Sequence, residues 1–159
     1  MACSRSEVSA PPPPQIAKLA DVQNRIEEYR GQPLLVNFWA TWCGPCVKEL
    51  PDFVSVAQAH AEEDLRYLTI SYDYMIGGVD EAGVLLKVQT FLDQTGLPME
   101  VLIFDEDDYD GINTALDLPG PIPVTLAFDA SGKEVGRLVD ESTREQFEEL
   151  ARLALGIKH

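Results

Sequence analysis

Phe38-Trp39-Ala40-Thr41-Trp42-Cys43-Gly44-Pro45-Cys46 places two thiols three residues apart where an apolar, strand-like run, 34–40, gives way to a helical pattern. If a helix opens at the first thiol, Cys43 sits at its N-terminus, where unpaired backbone N–H groups favour negative charge. The thiolate is the reactive form of cysteine, so that position raises its reactivity. Cys46 lies one turn on, within reach to close a disulfide once Cys43 has attacked. Pro45 falls in the first helical turn, where its missing N–H costs little. A C-x-x-C that follows a strand and opens a helix reads as a redox motif.

Two other chemistries compete for the cysteines. A structural zinc site takes about four ligands, but there is no second C-x-x-C, and His60 and His159 lie far from the motif or at the terminus. A peroxidatic cysteine resembles Thr-x-x-Cys, whereas Thr41 stands only two residues before Cys43. Redox chemistry of a dithiol is the reading that remains, with no metal and no cofactor expected.

Outward from the motif, Val47, Leu50, Val54, Ala57 and Ala61 recur at helical spacing, with Pro51 expected to kink that helix. Upstream, Ile16, Leu19, Val22 and Ile26 predict a helix running to Arg30, stopped by Gly31-Gln32-Pro33. Downstream, strands are expected over 66–72, 99–104, 124–128 and 134–139, and helices over 84–92 and 112–116. Asp129-Ala130-Ser131-Gly132 reads as a hairpin turn, and Ser142 as the cap of a last helix, 143–155. Strands and helices in this order imply an α/β fold, a central mixed sheet with helices on both faces. Residues 1–14, Ser-rich and then Pro11 to Pro14, read as an extended tether, and 15–159 as one domain.

Composition narrows the function. The 159 residues are 45% hydrophobic, enough for a core, and carry 12 basic against 27 acidic side chains for a net charge of −15. That balance argues against a nucleic-acid groove or attraction to anionic lipid, both of which need clustered Lys and Arg. The acidic residues near 105–117 approach a calcium loop, with Glu106, Asp108, Asp110, Gly111 and Asp117 near the required spacing. The first ligand is Glu, the last is Asp, and Ile112 comes one place early, so the loop is not expected to bind calcium. Three cysteines make no disulfide framework, and no apolar run reaches membrane-spanning length.

Val36 to Pro51, with Trp42-Cys43-Gly44-Pro45-Cys46 at its centre and Glu49-Leu50-Pro51 behind, closely resembles the TlpA/ResA-like branch of the thioredoxin-like superfamily, and later signals extend the likeness over roughly 20–156. The resemblance implies a thioredoxin-like fold and an extracytoplasmic thiol–disulfide oxidoreductase that reduces protein disulfides, with cytochrome c apoprotein as one substrate class. By the same resemblance, Cys43 and Cys46 are catalytic, and Glu49, one turn past Cys46, moves protons to and from the buried thiol. The buried Asp that thioredoxins place on the central strand is here Asn37.

Trp42, Gly44, Pro45, Ile122 and Pro123 are similarly assigned to substrate docking, with Ile122–Pro123 as the cis bond facing the thiols. The residues alone leave open an ordinary trans proline at 123 and a surface Glu at 49. Cys3, after Met1-Ala2 and before a polar, proline-rich stretch, resembles a lipoprotein acylation site. The protein is then expected in the bacterial periplasm, monomeric, anchored by lipid on Cys3 and re-reduced by a membrane thiol-transfer protein.

Two rivals stand beside this reading. A periplasmic dithiol oxidase or isomerase is opposed by Gly44-Pro45. That pair resembles the reducing thioredoxin centre, near about −270 mV, against about −120 mV for DsbA-type oxidants. A thioredoxin-fold docking module with incidental thiols is opposed by the intact Cys43–Cys46 motif.

Overall fold

The computed structural model describes residues 10–75, 78–105 and 109–157. In chain order the elements are β1 (Gln15–Ala17), α1 (Leu19–Glu28), β2 (Leu34–Trp39), α2 (Gly44–Ala59), β3 (Arg66–Ser71), α3 (Glu81–Thr95), β4 (Val101–Phe104), α4 (Tyr109–Ala115), β5 (Val124–Phe128), β6 (Glu134–Val139) and α5 (Arg144–Leu155). They build one mixed sheet in the order β1-β4-β3-β2-β5-β6, with helices on both faces. The four strands from β1 to β2 run parallel, β5 runs antiparallel to β2, and β6, antiparallel to β5, returns to the direction of the first four.

β2 lies inside the sheet between β3 and β5, and all six of its residues are buried. A strand covered on both faces needs the unbroken apolar run seen in its sequence. α2 buries Leu50, Phe53, Val54, Val56 and Ala57. That face is wider than the predicted stripe because α2 is held between the sheet and α5: Phe53 meets Phe147 of α5 at 5.6 Å and Tyr67 of β3 at 6.0 Å between ring centroids. Ala61 lies past the end of α2 and is exposed. The helix runs on through Pro51, whose missing N–H leaves the Val47 carbonyl without its intrahelical donor. On α5, Leu153 and Leu150 close over β6 at Gly136, where a Cβ would sit 3.0 Å from Leu153 Cδ1.

Three expectations are corrected. Ile16 does not start a helix. It is the middle of β1, opposite Ile103 of β4, and helical backbone begins only at Leu19, where Asp21 accepts the Lys18 N–H at 2.9 Å. Pro14 and its predecessors favour extended backbone, and the open edge of β4 supplies the partner that keeps it extended.

Ser142 does not cap α5. Thr143 does, accepting the Gln146 N–H at 3.2 Å while Gln146 Oε1 accepts the Thr143 N–H at 2.8 Å. Tyr72, expected as the last residue of the strand 66–72, falls just past β3 and is core. It packs against Phe38, Phe104 and Tyr109. Phe38 and Trp39 are fully buried. Of the calcium-like loop, Glu106 and Asp108 lie outside the described residues, and Asp110 and Gly111 fall within α4.

Candidate active site

β2 delivers the chain to the C-terminal end of the parallel strands, where a turn follows: the Cys43 N–H is donated to the Ala40 carbonyl at 3.2 Å. Cys43 is the N-cap of α2, in extended backbone conformation, and its Sγ accepts the Cys46 N–H at 3.3 Å. The two cysteines form a disulfide, with Cα atoms 5.3 Å apart. They are not equivalent. Cys43 keeps 7% of its surface exposed and Cys46 none. Trp42 is 47% exposed, and Gly44 and Pro45 are exposed beside it.

Glu49 follows on the same face of α2, one turn past Cys46, and is only 2% exposed. Its Oε1 accepts the Ser142 N–H at 3.2 Å, and its Oε2 accepts Asn37 Nδ2 at 3.1 Å. Asn37 Nδ2 is also donated to Thr125 Oγ1 at 2.9 Å, so β2, α2, β5 and the lead into α5 meet at one carboxyl. Burial disfavours the charged form and pushes the Glu49 pKa from 4.5 up to about 7. The two hydrogen bonds oppose that shift, and the nearby Glu141 charge adds to it. Ser142 contributes its backbone N–H, a role that no side-chain pattern displays.

The displaced pKa has a consequence for stability. Below the unfolded value of 4.5, native and unfolded chains both hold the proton, and the native preference for the neutral acid is fully expressed. As pH rises toward about 7 the unfolded chain releases the proton first, so this contribution declines and is lost once the native acid ionises. The span amounts to about 3 kcal/mol at 1.36 kcal/mol per pH unit. Glu49→Gln removes the titration. Urea melts from about pH 4 to pH 8 should show wild type losing about 3 kcal/mol relative to the variant. Parallel curves for the two proteins would show that the native acid titrates normally.

The Ile122–Pro123 bond is cis, and Pro123 is buried. Val124 pairs with Phe38, so Pro123 enters β5 at the end of the sheet where β2 releases the Cys43 loop. The Pro123 carbonyl accepts the Asp140 N–H at 3.1 Å. The structure thus brings Trp42, Cys43, Gly44, Pro45, Cys46, Glu49, Ile122 and Pro123 to one end of the sheet, whereas Cys3 lies outside the described residues.

Sequence reasoning missed Asp73, a carboxylate with 1% exposure just after β3. It accepts the Thr41 N–H and both the Thr41 and Ser71 hydroxyls. The available signal was register: Ser71 pairs with Trp39, so parallel neighbours that end together bring the residue after β3 beside the turn after β2. Among the described residues no group of three or more His, Cys, Asp or Glu is placed to hold a metal, and no helix is long and apolar enough to cross a membrane.

The chain is similar to several known proteins. The chain is 28% identical to thiol-disulfide oxidoreductase ResA of Bacillus thuringiensis over 123 residues, 77% of this chain and 64% of that protein. ResA of Geobacillus kaustophilus matches at 28% over 126 residues, 79% of this chain and 65% of that one. The chain therefore spans just under two thirds of the length of these curated relatives. A crystal structure of a thiol:disulfide interchange protein of the thioredoxin family from Chlorobium tepidum superposes with a TM-score of 0.65 at 28% identity, covering 82% of this chain and 84% of that one. The AhpC/TSA family profile matches residues 12–133, well over half of the sequence, and the chain belongs to that thioredoxin-like family.

Proposed function

We propose that the protein is a thiol–disulfide oxidoreductase that reduces disulfides of extracytoplasmic proteins. The observation that carries the reading is the asymmetry of the two cysteines, Cys43 keeping a 7% exposed edge at a helix N-terminus and Cys46 fully buried one turn before the buried Glu49. The likeness to ResA proteins supports the same chemistry.

In the reduced protein the Cys43 thiolate attacks one sulfur of the substrate disulfide. The other substrate sulfur leaves as a thiolate and takes up a proton. Glu49 then accepts the Cys46 proton, and the Cys46 thiolate attacks Cys43 Sγ. The substrate leaves as a dithiol, two electrons richer, and the protein is left with the Cys43–Cys46 disulfide. Trp42, Gly44, Pro45, Ile122 and Pro123 form the surface on which the substrate chain docks.

The site returns to the dithiol through a membrane thiol-transfer reductant, and cytochrome c apoprotein is one substrate class the resemblance supplies. The protein acts in the periplasm as a monomer, held by lipid on Cys3. Mass spectrometry of the protein from its native host reads that lipid directly, and an unmodified cysteine removes the anchor.

The direction of the reaction is tested by the potential of the disulfide in glutathione buffers. A value near the reducing thioredoxin range, about −270 mV, is expected. A value near about −120 mV overturns the reductase reading and leaves an oxidant.

A further inference from the structure

Asp73 is a second buried carboxylate at the active-site end of the sheet, and no step above uses it. Its side chain has no solvent exposure. Both oxygens lie 3.1 Å from the Thr41 N–H nitrogen, Oδ1 accepts the Thr41 hydroxyl, and Oδ2 accepts the Ser71 hydroxyl at 2.5 Å. From α3, Lys87 reaches in until its Nζ is 3.9 Å from Oδ1, with 43% of its side chain still in solvent. Every partner is a donor, as an acceptor-only carboxylate requires.

Thr41 is the second residue of the turn that closes on the Cys43 N–H, so the two Cα atoms are at most about 7.6 Å apart. A negative charge clamped to that turn by a side chain without solvent exposure faces a thiol that is itself only 7% exposed, and between buried groups attenuation is weak.

We propose that the Asp73–Lys87 pair sets the acidity of the Cys43 thiol. Asp73 opposes thiolate formation as a like charge, Lys87 offsets it, and the N-terminus of α2 favours the thiolate independently. The inference rests on Cys43 as the attacking thiol. Other groups facing the centre are Glu49 of α2 and the Lys48–Glu141 pair, 3.5 Å apart across α2 and the lead into α5. The Tyr72 phenol beside Asp73 is pushed up by burial and stays neutral. None of these is altered by the variants below.

The two charges demand shifts of opposite sign. Asp73→Asn keeps an oxygen for the Thr41 N–H and turns an amide toward the two hydroxyls. Lys87→Met keeps the apolar stem and removes a charge that is partly in solvent. Thiolate absorbance of the reduced proteins is followed against pH, and wild type is measured first. Asp73→Asn should lower the Cys43 pKa by about half a unit, and Lys87→Met should raise it by a few tenths.

Below the pKa, the rate with a small disulfide reagent should rise about twofold in Asp73→Asn and fall in Lys87→Met, after allowance for nucleophilicity. A residue that only anchors the turn would leave the titration in place or move it the same way in both variants, and either result overturns the proposal. If Asp73→Asn does not fold, Lys87→Met and Lys87→Glu carry the test: the pKa must climb in that order, and values equal to wild type overturn it. A wild-type Cys43 that neither titrates nor reacts refutes the assignment of the attacking thiol, a failure separable from the one above.

Discussion

Cys46→Ser is expected to accumulate as a mixed disulfide with its substrates, whereas Cys43→Ser should trap almost nothing and reduce nothing. The difference follows from where the sulfurs sit. Cys43 retains an exposed edge at the start of α2, and Cys46 has none. An incoming disulfide therefore meets Cys43 first, and exchange requires a thiolate in line with the sulfur it attacks. Without Cys46 the second exchange has no nucleophile, so the first product persists. Without Cys43 the remaining thiol is shut away from a protein substrate. Non-reducing gels of both variants after incubation with a disulfide-containing protein decide the matter. Equal trapping by the two would reverse or erase the assigned order of attack.

Glu49→Gln should slow release of the reduced substrate by about 10²-fold near neutral pH, the low end of general-base catalysis. Cys46 lies in apolar surroundings that disfavour its thiolate, so its proton needs an acceptor. Glu49, with a pKa of about 7, is an acceptor poised at working pH. In wild type the release rate should climb through about pH 7 as the carboxylate forms. In the variant that inflection should vanish, leaving only the rise set by Cys46 itself.

Glutamine fits the site without strain. If Asn37 turns its amide, Oδ1, which has no hydrogen-bond partner among the described residues, can accept from the new amide and from Thr125. Stopped-flow kinetics on a preformed Cys43 mixed disulfide measures the step. An unchanged rate and profile would reduce Glu49 to a packing residue.

The parts of this site legible in the sequence are those whose chemistry is local. Two thiols at a strand-to-helix junction are specified by spacing alone; spacing also put an acid one turn further along the helix, and the resemblance supplied its buried role. β2 was legible for a similar reason, because burial on both sides forces an apolar run. What escaped is what depends on distant partners. β1 has three residues and no period of its own, and exists because β4 offers an edge. Ser142 was taken for a cap when its role is a backbone N–H aimed at a residue 93 positions away. Asp73 reads as a loop acid until the parallel register of β2 and β3 sets it beside Thr41.

The short strand β1 also decides which way the protein looks. It runs parallel to β2, and its first residue Gln15 pairs with Leu102, level with Ile70 and Phe38. The chain before it leads back along the strands, with Pro12 and Pro13 beside Glu100, toward the end of the sheet remote from Cys43. An attachment made through Pro12 and Pro13 would hold the molecule at the end of the sheet opposite Cys43. The Cys43 end of the sheet would then face away from such an attachment, and the extended residues Pro11 to Pro14, at about 3.1 Å per residue, would add stand-off. A partner fixed to the same surface is met only if that stretch bends back, whereas a partner approaching from the open side finds the dithiol facing it.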